Sequence, residues 1–217
     1  MRKWKNPERQ PKANIETILK LSVSASLASL GIILSAIVVY VPNIEFISVT
    51  IFLIALLFGY NYGVISAVAI TMVYEFLVTS IYGSAGLLIF FKLFCYISLA
   101  LVAGLGRKIF LKLSFWELGI LGAVFALAYD IITTLGAQLI ILQSQITPYY
   151  ILLVLITGIP FTIIHFIGNF VLFSLTRNTI KLIISAFKYR GIKLLIIPNF
   201  METEKDSILH QKVIQNE

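Results

Sequence analysis

Residues 87–105 read LLIFFKLFCYISLALVAGL, an apolar run with one charge, Lys92, that ends just before Arg107 and Lys108. A helix of about 20 apolar residues is long enough to cross the hydrocarbon core of a bilayer, so this run predicts a transmembrane helix. A charge inside hydrocarbon is costly and is rarely retained without a partner or a task. The run therefore indicates a membrane protein whose interior contains ionisable groups.

The same pattern extends over most of the chain. The composition is 59% hydrophobic and 12% charged, whereas soluble domains carry about twice that share of charge. Short turns separate six apolar runs, at residues 17–41, 46–58, 64–80, 87–105, 115–142 and 149–175. We predict an all-α polytopic membrane protein with six transmembrane helices. The membrane domain covers 16–176, between a basic tail at 1–15 and a basic amphipathic segment with a tail at 177–217.

The basic residues indicate the orientation of these helices. Six spans place both termini on one side of the membrane, and every Lys and Arg except Lys92 then falls on that side. The positive-inside rule puts that side in the cytoplasm, so we predict a multi-pass protein of the cell (plasma) membrane with both termini cytoplasmic. The net charge of +7 is thereby explained by topology and anionic lipid rather than by nucleic acid.

Ionisable side chains within the spans are the first candidates for chemistry. By helical rise, Glu75 and Lys92 lie roughly 8–9 Å below the outer surface. They could form an ion pair that only neutralises both, or a polar floor under an outward-facing pocket, and the two interpretations are compatible. On the last span, His165 is expected to be a satisfied interhelical donor well below the pocket.

A polar stripe on the fifth span is the second candidate. Asp130, Thr134 and Gln138 follow one another at helical spacing and lead toward Gln143 and Gln145 in the next loop. Lipid offers such side chains no partner, so the stripe should face the protein interior. The short outer loop with Asn43 and Glu45 is a candidate gate over the pocket, or an ordinary solvated turn.

Small residues on the first span indicate close helix packing. Ser24 with Ala28, and Ala25 with Ser29, form small-xxx-small pairs that let two helices approach closely. The partner helix is either in this chain or in another membrane subunit.

Several chemistries have no motif here. The chain lacks Gly-x-x-x-x-Gly-Lys-Ser/Thr, Gly-x-Ser-x-Gly and His-Glu-x-x-His, so neither ATP hydrolysis nor a known hydrolytic site is indicated. One Cys and two His at this spacing build no metal cluster. We expect no enzyme activity, no metal and no cofactor.

The chain resembles the substrate-binding S component of an energy-coupling factor (ECF) vitamin transporter. Two segments carry the resemblance over roughly residues 15–190. The first is Pro42-Asn43-Ile44-Glu45-Phe46, followed by LLFGYNYG at 56–63. The second is Gly158-Ile159-Pro160-Phe161-Thr162, with His165 and Asn169.

The resemblance implies a subunit that captures a vitamin or related micronutrient at its outer face. It also implies a membrane coupling (T) subunit and two cytoplasmic ABC ATPases as partners, with Ser24, Ala25, Ala28 and Ser29 as the nearest match to the docking face. By this analogy the residues expected to contact substrate are Asn43, Glu45, Lys92, Tyr96, Gln138, Gln143 and Gln145. Glu75 and Asp130 would orient or neutralise their neighbours. Lys92 suits a carboxylate or phosphate and Tyr96 suits a flat ring, so the sequence does not specify the substrate.

Two other functions remain as alternatives. A stand-alone ion-coupled carrier would use Glu75, Asp130 and His165 as a proton relay. An intramembrane enzyme would depend on Asp130 and His165 as an acid–base pair, without a nucleophile or metal motif beside them.

Overall fold

The computed structural model describes residues 11–41, 43–82, 86–142 and 147–189. Within these ranges the protein is all-helical, as predicted, and has no strand. The helices are α1 (Pro11–Ile37), α2 (Ile47–Phe58), α3 (Tyr60–Tyr82), α4 (Leu88–Leu105), α5 (Arg107–Phe110), α6 (Phe115–Leu142), α7 (Pro148–Ser174) and α8 (Thr176–Tyr189).

Five helical segments in the described part of the chain are long and apolar enough to cross a membrane. They are Ile15–Ile37, Tyr60–Ile81, Leu88–Leu105, Phe115–Ile141 and Pro148–Phe187. The second predicted span, α2, has only 12 residues, or about 18 Å of helix, which is less than the hydrocarbon thickness of about 30 Å. The chain is therefore a multi-pass helical membrane protein, and its described residues include five helices of spanning length and one short apolar helix.

The short helix α2 is the core of the bundle. Every α2 residue except Val49 is buried, and the helix packs against α1, α3, α4 and α7. Glycines allow the closest approaches, since a Cβ on Gly63 of α3 would lie 2.5 Å from that of Ala55. Large apolar side chains on the surrounding helices, such as Phe76 and Phe90, are exposed. This arrangement suits a bilayer, because lipid solvates the outer apolar surface.

Side chains from other helices form hydrogen bonds with backbone groups at both ends of α2. At its start, the Phe46 amide donates to the buried Ser35 hydroxyl of α1 over 2.8 Å. At its end, Arg107 donates to the Leu56 carbonyl over 2.7 Å and to the Leu57 carbonyl over 2.6 Å. Burial lowers the pKa of the Arg107 guanidinium from its usual value, but arginine stays protonated near neutral pH. Arg107 therefore links the end of α4 to the last carbonyls of α2.

Local sequence features determine where the helices around α2 begin and how they are connected. Gly59, with φ +95°, is the single residue between α2 and α3, which therefore form a tight hairpin. A capping box starts α6, since the Ser114 amide donates to the Glu117 carboxylate over 2.6 Å. Arg107 contacts the last carbonyls of α2, so its end of the bundle lies opposite the end where α2 begins.

The C-terminal helix extends the last span. Leu175 has helical angles (φ −76°, ψ −14°), and the Thr179 amide donates to its carbonyl over 3.0 Å, so α7 continues into α8. Residues 182–217 form a second unit, of which only 182–189 are described, as helix. Most of the predicted tails, residues 1–10 and 190–217, lie outside the described residues.

Candidate functional site

A cavity of about 450 Å³ lies at the end of the bundle where α2 begins. Its walls come from the α1–α2 loop and from α3, α4, α6 and α7. The lining residues are Val39, Val41, Asn43, Ile44, Glu45, Tyr74, Val78, Leu88, Lys92, Tyr129, Asp130, Thr133, Thr134, Ala137, Gly158, Phe161, Thr162 and His165. Four of the residues predicted for the site, Asn43, Glu45, Lys92 and Asp130, are among them.

Asn43 fixes the loop that forms one wall. It has a φ of +59°, a left-handed conformation that asparagine tolerates better than most residues. Its amide Nδ2 donates to the Phe161 carbonyl of α7 over 3.0 Å. The predicted gate segment is thus tied to the last span, one residue after the helix-interior Pro160.

Glu45 carries a carboxylate at the cavity wall. Its Oε1 accepts a hydrogen bond from the Tyr96 hydroxyl. Tyr96 is buried behind the wall and does not line the cavity. Its ring packs on Tyr129, with centroids 5.2 Å apart. Tyr96 therefore positions Glu45, and its contact with a substrate stays a prediction.

Glu75 and Lys92 form the ion pair that the sequence left open. The Lys92 ammonium lies 2.6 Å from Glu75 Oε1, and the two side chains are 20% and 16% exposed. Lys92 lines the cavity, whereas Glu75 is not part of the lining. Each charge is neutralised by the other, so the pair contributes polarity to the cavity without net charge.

Asp130 and His165 form a second ionisable pair. His165 Nδ1 lies 2.7 Å from Asp130 Oδ1, and the His165 side chain is only 3% exposed. Asp130 Oδ2 and His165 Nε2 are buried and have no hydrogen-bond partner among the described residues. His165 is an interhelical partner as predicted, but its expected place below the pocket was wrong, because it lines the cavity.

The depth of the cavity explains that error. Seventeen residues separate Pro148, where α7 begins, from His165, which is about 25 Å of helix. Counting along the helix therefore places His165 far below the surface. The loop enters the bundle, because Asn43 donates to the carbonyl of Phe161, 13 positions after Pro148, and the cavity extends from this loop to His165.

The remaining predicted residues are Gln138, Gln143 and Gln145, together with the docking face on α1. Gln138 is half-buried on α6 and does not line it. Gln143 and Gln145 lie outside the described residues. On the predicted docking face of α1, Ser24 is buried within the chain and Ala28 is half-buried, whereas Ala25 and Ser29 are exposed.

Aromatic lining residues were missed by the sequence analysis. Tyr74, Tyr129 and Phe161 all line the cavity. Tyr74 precedes Glu75 and Tyr129 precedes Asp130 in the sequence. This proximity to an intramembrane acid was the only sequence signal that these two tyrosines line a site. Apolar helices are rich in aromatic residues, so the signal is weak.

The side chains around the cavity do not build a metal site. Among the described residues, no group of three His, Cys, Asp or Glu side chains is placed to hold a metal ion. Cys95 is buried and unbonded.

Fold and site together define a multi-pass helical membrane protein with a polar, aromatic-lined cavity between its helices. Comparison of the chain with protein-family models, curated proteins and solved structures found no match.

Proposed function

We propose that this chain is the membrane-embedded substrate-binding subunit of an ECF-type ABC importer, which captures a vitamin or related micronutrient in an outward-facing pocket. The observation that carries the proposal is the cavity of about 450 Å³, a size within the range of small-molecule sites. A few polar groups converge on it, and a short loop held by Asn43 forms one wall.

The proposed topology has six crossings and cytoplasmic termini. α2 crosses as a short helix because other helices enclose it, so its length need not match the bilayer. Lys92 at the cavity and Arg107 are 15 residues apart along α4 and its extension, or about 22 Å. Arg107, Lys108 and Lys112 therefore lie at the end away from the cavity, and the positive-inside rule makes the cavity side external.

The energy for uptake would come from partners. The chain has no P-loop motif, so a membrane coupling subunit and two cytoplasmic ATPases would supply ATP hydrolysis. The exposed small residues Ala25 and Ser29 of α1 offer a face on which a coupling helix could pack closely. We assign no catalytic step to this chain.

An ion-coupled carrier is the second candidate. The observation in its favour is the Asp130–His165 pair, in which Asp130 Oδ2 and His165 Nε2 have no hydrogen-bond partner within the described ranges. Intramembrane acid–histidine pairs of this kind occur in proton relays. A carrier would transport without ATPases and would lose pH-dependent flux in Asp130→Asn.

Co-purification from native membranes tests the proposal. The tagged chain should recover two P-loop ATPases, a membrane coupling subunit and a bound small molecule that mass spectrometry can identify. Ala25→Leu should reduce recovery of the partners, because the added bulk prevents close packing. Ala69→Leu is the matched control, since Ala69 is also an exposed alanine, on α3. Recovery of the chain without ATPase or ligand would contradict the proposal and favour the carrier.

A further inference from the structure

We infer that the ligand of this cavity is a small organic cation, whose positively charged nitrogen lies beside the Glu45 carboxylate and among the aromatic rings of the wall. The inference rests on the proposed function, because it names the class of substrate that the binding subunit would capture. The sequence left the substrate open, because Lys92 suits a carboxylate or phosphate whereas Tyr96 suits a flat ring.

The first argument is the balance of charge. Three carboxylates lie at the cavity or directly behind it, from Glu45, Glu75 and Asp130. Lys92 is the single lysine among these groups, and Glu75 neutralises it at 2.6 Å. His165 faces Asp130 at 2.7 Å. If His165 is protonated, the set keeps one net negative charge, and if it is neutral the set keeps two.

Among the described residues Glu45 forms no salt bridge, and His165 interacts with it electrostatically but is hydrogen-bonded to Asp130. Glu45 Oε1 accepts a hydrogen bond from the Tyr96 hydroxyl, which is a neutral donor. A carboxylate away from bulk water gains most from a cationic partner, because the low dielectric strengthens the attraction. A cationic ligand would neutralise negative charge at the cavity, whereas an anionic ligand would be repelled by it.

The second argument is the chemistry of the walls. Tyr74, Tyr129 and Phe161 line the cavity together with Glu45. Tyr129 packs on Tyr96, the residue that holds Glu45, so at least one aromatic ring lies near the carboxylate. Aromatic faces attract ammonium and other organic cations, particularly where water is excluded. Acidic and aromatic groups thus favour the same class of ligand.

The third argument concerns atoms without partners. In the described part of the chain, the buried atoms Asp130 Oδ2 and His165 Nε2 form no hydrogen bond, and both residues line the cavity. A buried polar atom without a partner is costly, so a ligand that donates to the Asp130 carboxylate would remove that cost. A protonated amine or ring N–H can donate in this way.

Three probes of nearly the same shape test the sign of the charge. Choline is cationic, 3,3-dimethyl-1-butanol is its neutral carbon isostere, and 3,3-dimethylbutanoate is anionic. Each is added to the full chain in lipid nanodiscs, and thermal unfolding is followed. Choline should raise the unfolding temperature, because a ligand that binds the folded state stabilises it. The neutral and anionic probes should have little effect.

Two variants test whether choline binds beside Glu45. Glu45→Gln keeps an acceptor for Tyr96 but removes the charge, and should weaken choline binding about 10- to 100-fold. Glu16→Gln removes a carboxylate from the opposite end of α1, where Glu16 pairs with Lys20, and should leave binding unchanged. If Glu45→Gln does not fold, the comparison of the three probes on the native chain still decides the sign.

The outcomes separate this inference from the proposed function. The inference is supported if the compound extracted with the native chain is cationic near neutral pH. Selective stabilisation by choline also supports the inference. A neutral or anionic extracted compound overturns it, even if the ATPases co-purify and the proposed function stands. Equal or absent effects of the three probes also overturn it. Absence of ATPases and ligand contradicts the proposed function itself.

Discussion

Replacing Lys92 with methionine should destabilise the protein by leaving the Glu75 carboxylate without its partner. Removing one member of a fully buried ion pair costs about 3–5 kcal/mol, whereas an exposed pair contributes about 0–1 kcal/mol. The Lys92 and Glu75 side chains are 20% and 16% exposed, and Lys92 borders the cavity. We therefore expect a loss of about 2–3 kcal/mol, nearer the buried limit but reduced by access of water.

The double variant separates the charge from the loss of packing. In Lys92→Met/Glu75→Gln neither side chain is charged, so the cost of an unpaired carboxylate disappears. The double variant should be more stable than the sum of the two single effects by at least about 1 kcal/mol. Lys20→Met is the matched control, because Lys20 pairs with Glu16 at 2.5 Å along one helix. Such pairs contribute about 0.2–0.5 kcal/mol.

The protein contains its own reporter for this measurement. Cys95 is the single cysteine of the chain, and it is buried at 3% exposure. A thiol-reactive fluorophore will label it only after unfolding. For a chain of this size, about 2–4 °C of unfolding temperature corresponds to 1 kcal/mol, so Lys92→Met should shift the midpoint by roughly 4–12 °C. A shift no larger than that of Lys20→Met, or strict additivity in the double variant, would refute the reasoning and remove the basis for treating Lys92 as neutralised.

Two further substitutions test the packing around α2 and α3, with the same thiol assay. Arg107→Met should cost about 2–3 kcal/mol, because two carbonyls at the end of α2 lose charged hydrogen bonds, and Arg107→Lys should recover only part of it, since lysine lacks the planar fork. Equal stability of Arg107→Met and the native chain would contradict this role. Gly104→Ala should cost about 1–3 kcal/mol, because the new Cβ would lie 2.4 Å from backbone atoms of Tyr60. Gly158→Ala has open space at its Cβ and should be tolerated, so an equal loss in both would contradict the packing argument.

The class of fold followed from composition and periodicity, with some errors of detail. Long apolar runs must form helices in a bilayer, where no other partner exists for the backbone. The second span was predicted at 46–58, and the structure has α2 at Ile47–Phe58. Its place at the centre of the bundle was not predicted, because a 12-residue apolar run looks the same whether protein or lipid surrounds it.

The site was also predicted only in part, because residue type does not show how helices and loops pack. Intramembrane charges indicate an interior, so Lys92 and Asp130 were recognised as cavity candidates, whereas Glu45 was selected for its place in the outer loop. His165 was placed too deep, since helical counting gives depth from the helix end but does not show that a loop enters the bundle. Gln138 was selected for its polarity, although half-buried polar groups on a helix can face away from a cavity.

The sequence by itself determined that the chain is a helical membrane protein and that its buried charges face inward, because burial of apolar residues and the cost of charge in hydrocarbon depend on residue type. Only the tertiary structure decided which charges meet. It paired Glu75 with Lys92 and Asp130 with His165, and it held Glu45 on a neutral tyrosine. Contacts between residues 17 to 51 positions apart depend on how helices pack, and no local pattern specifies them.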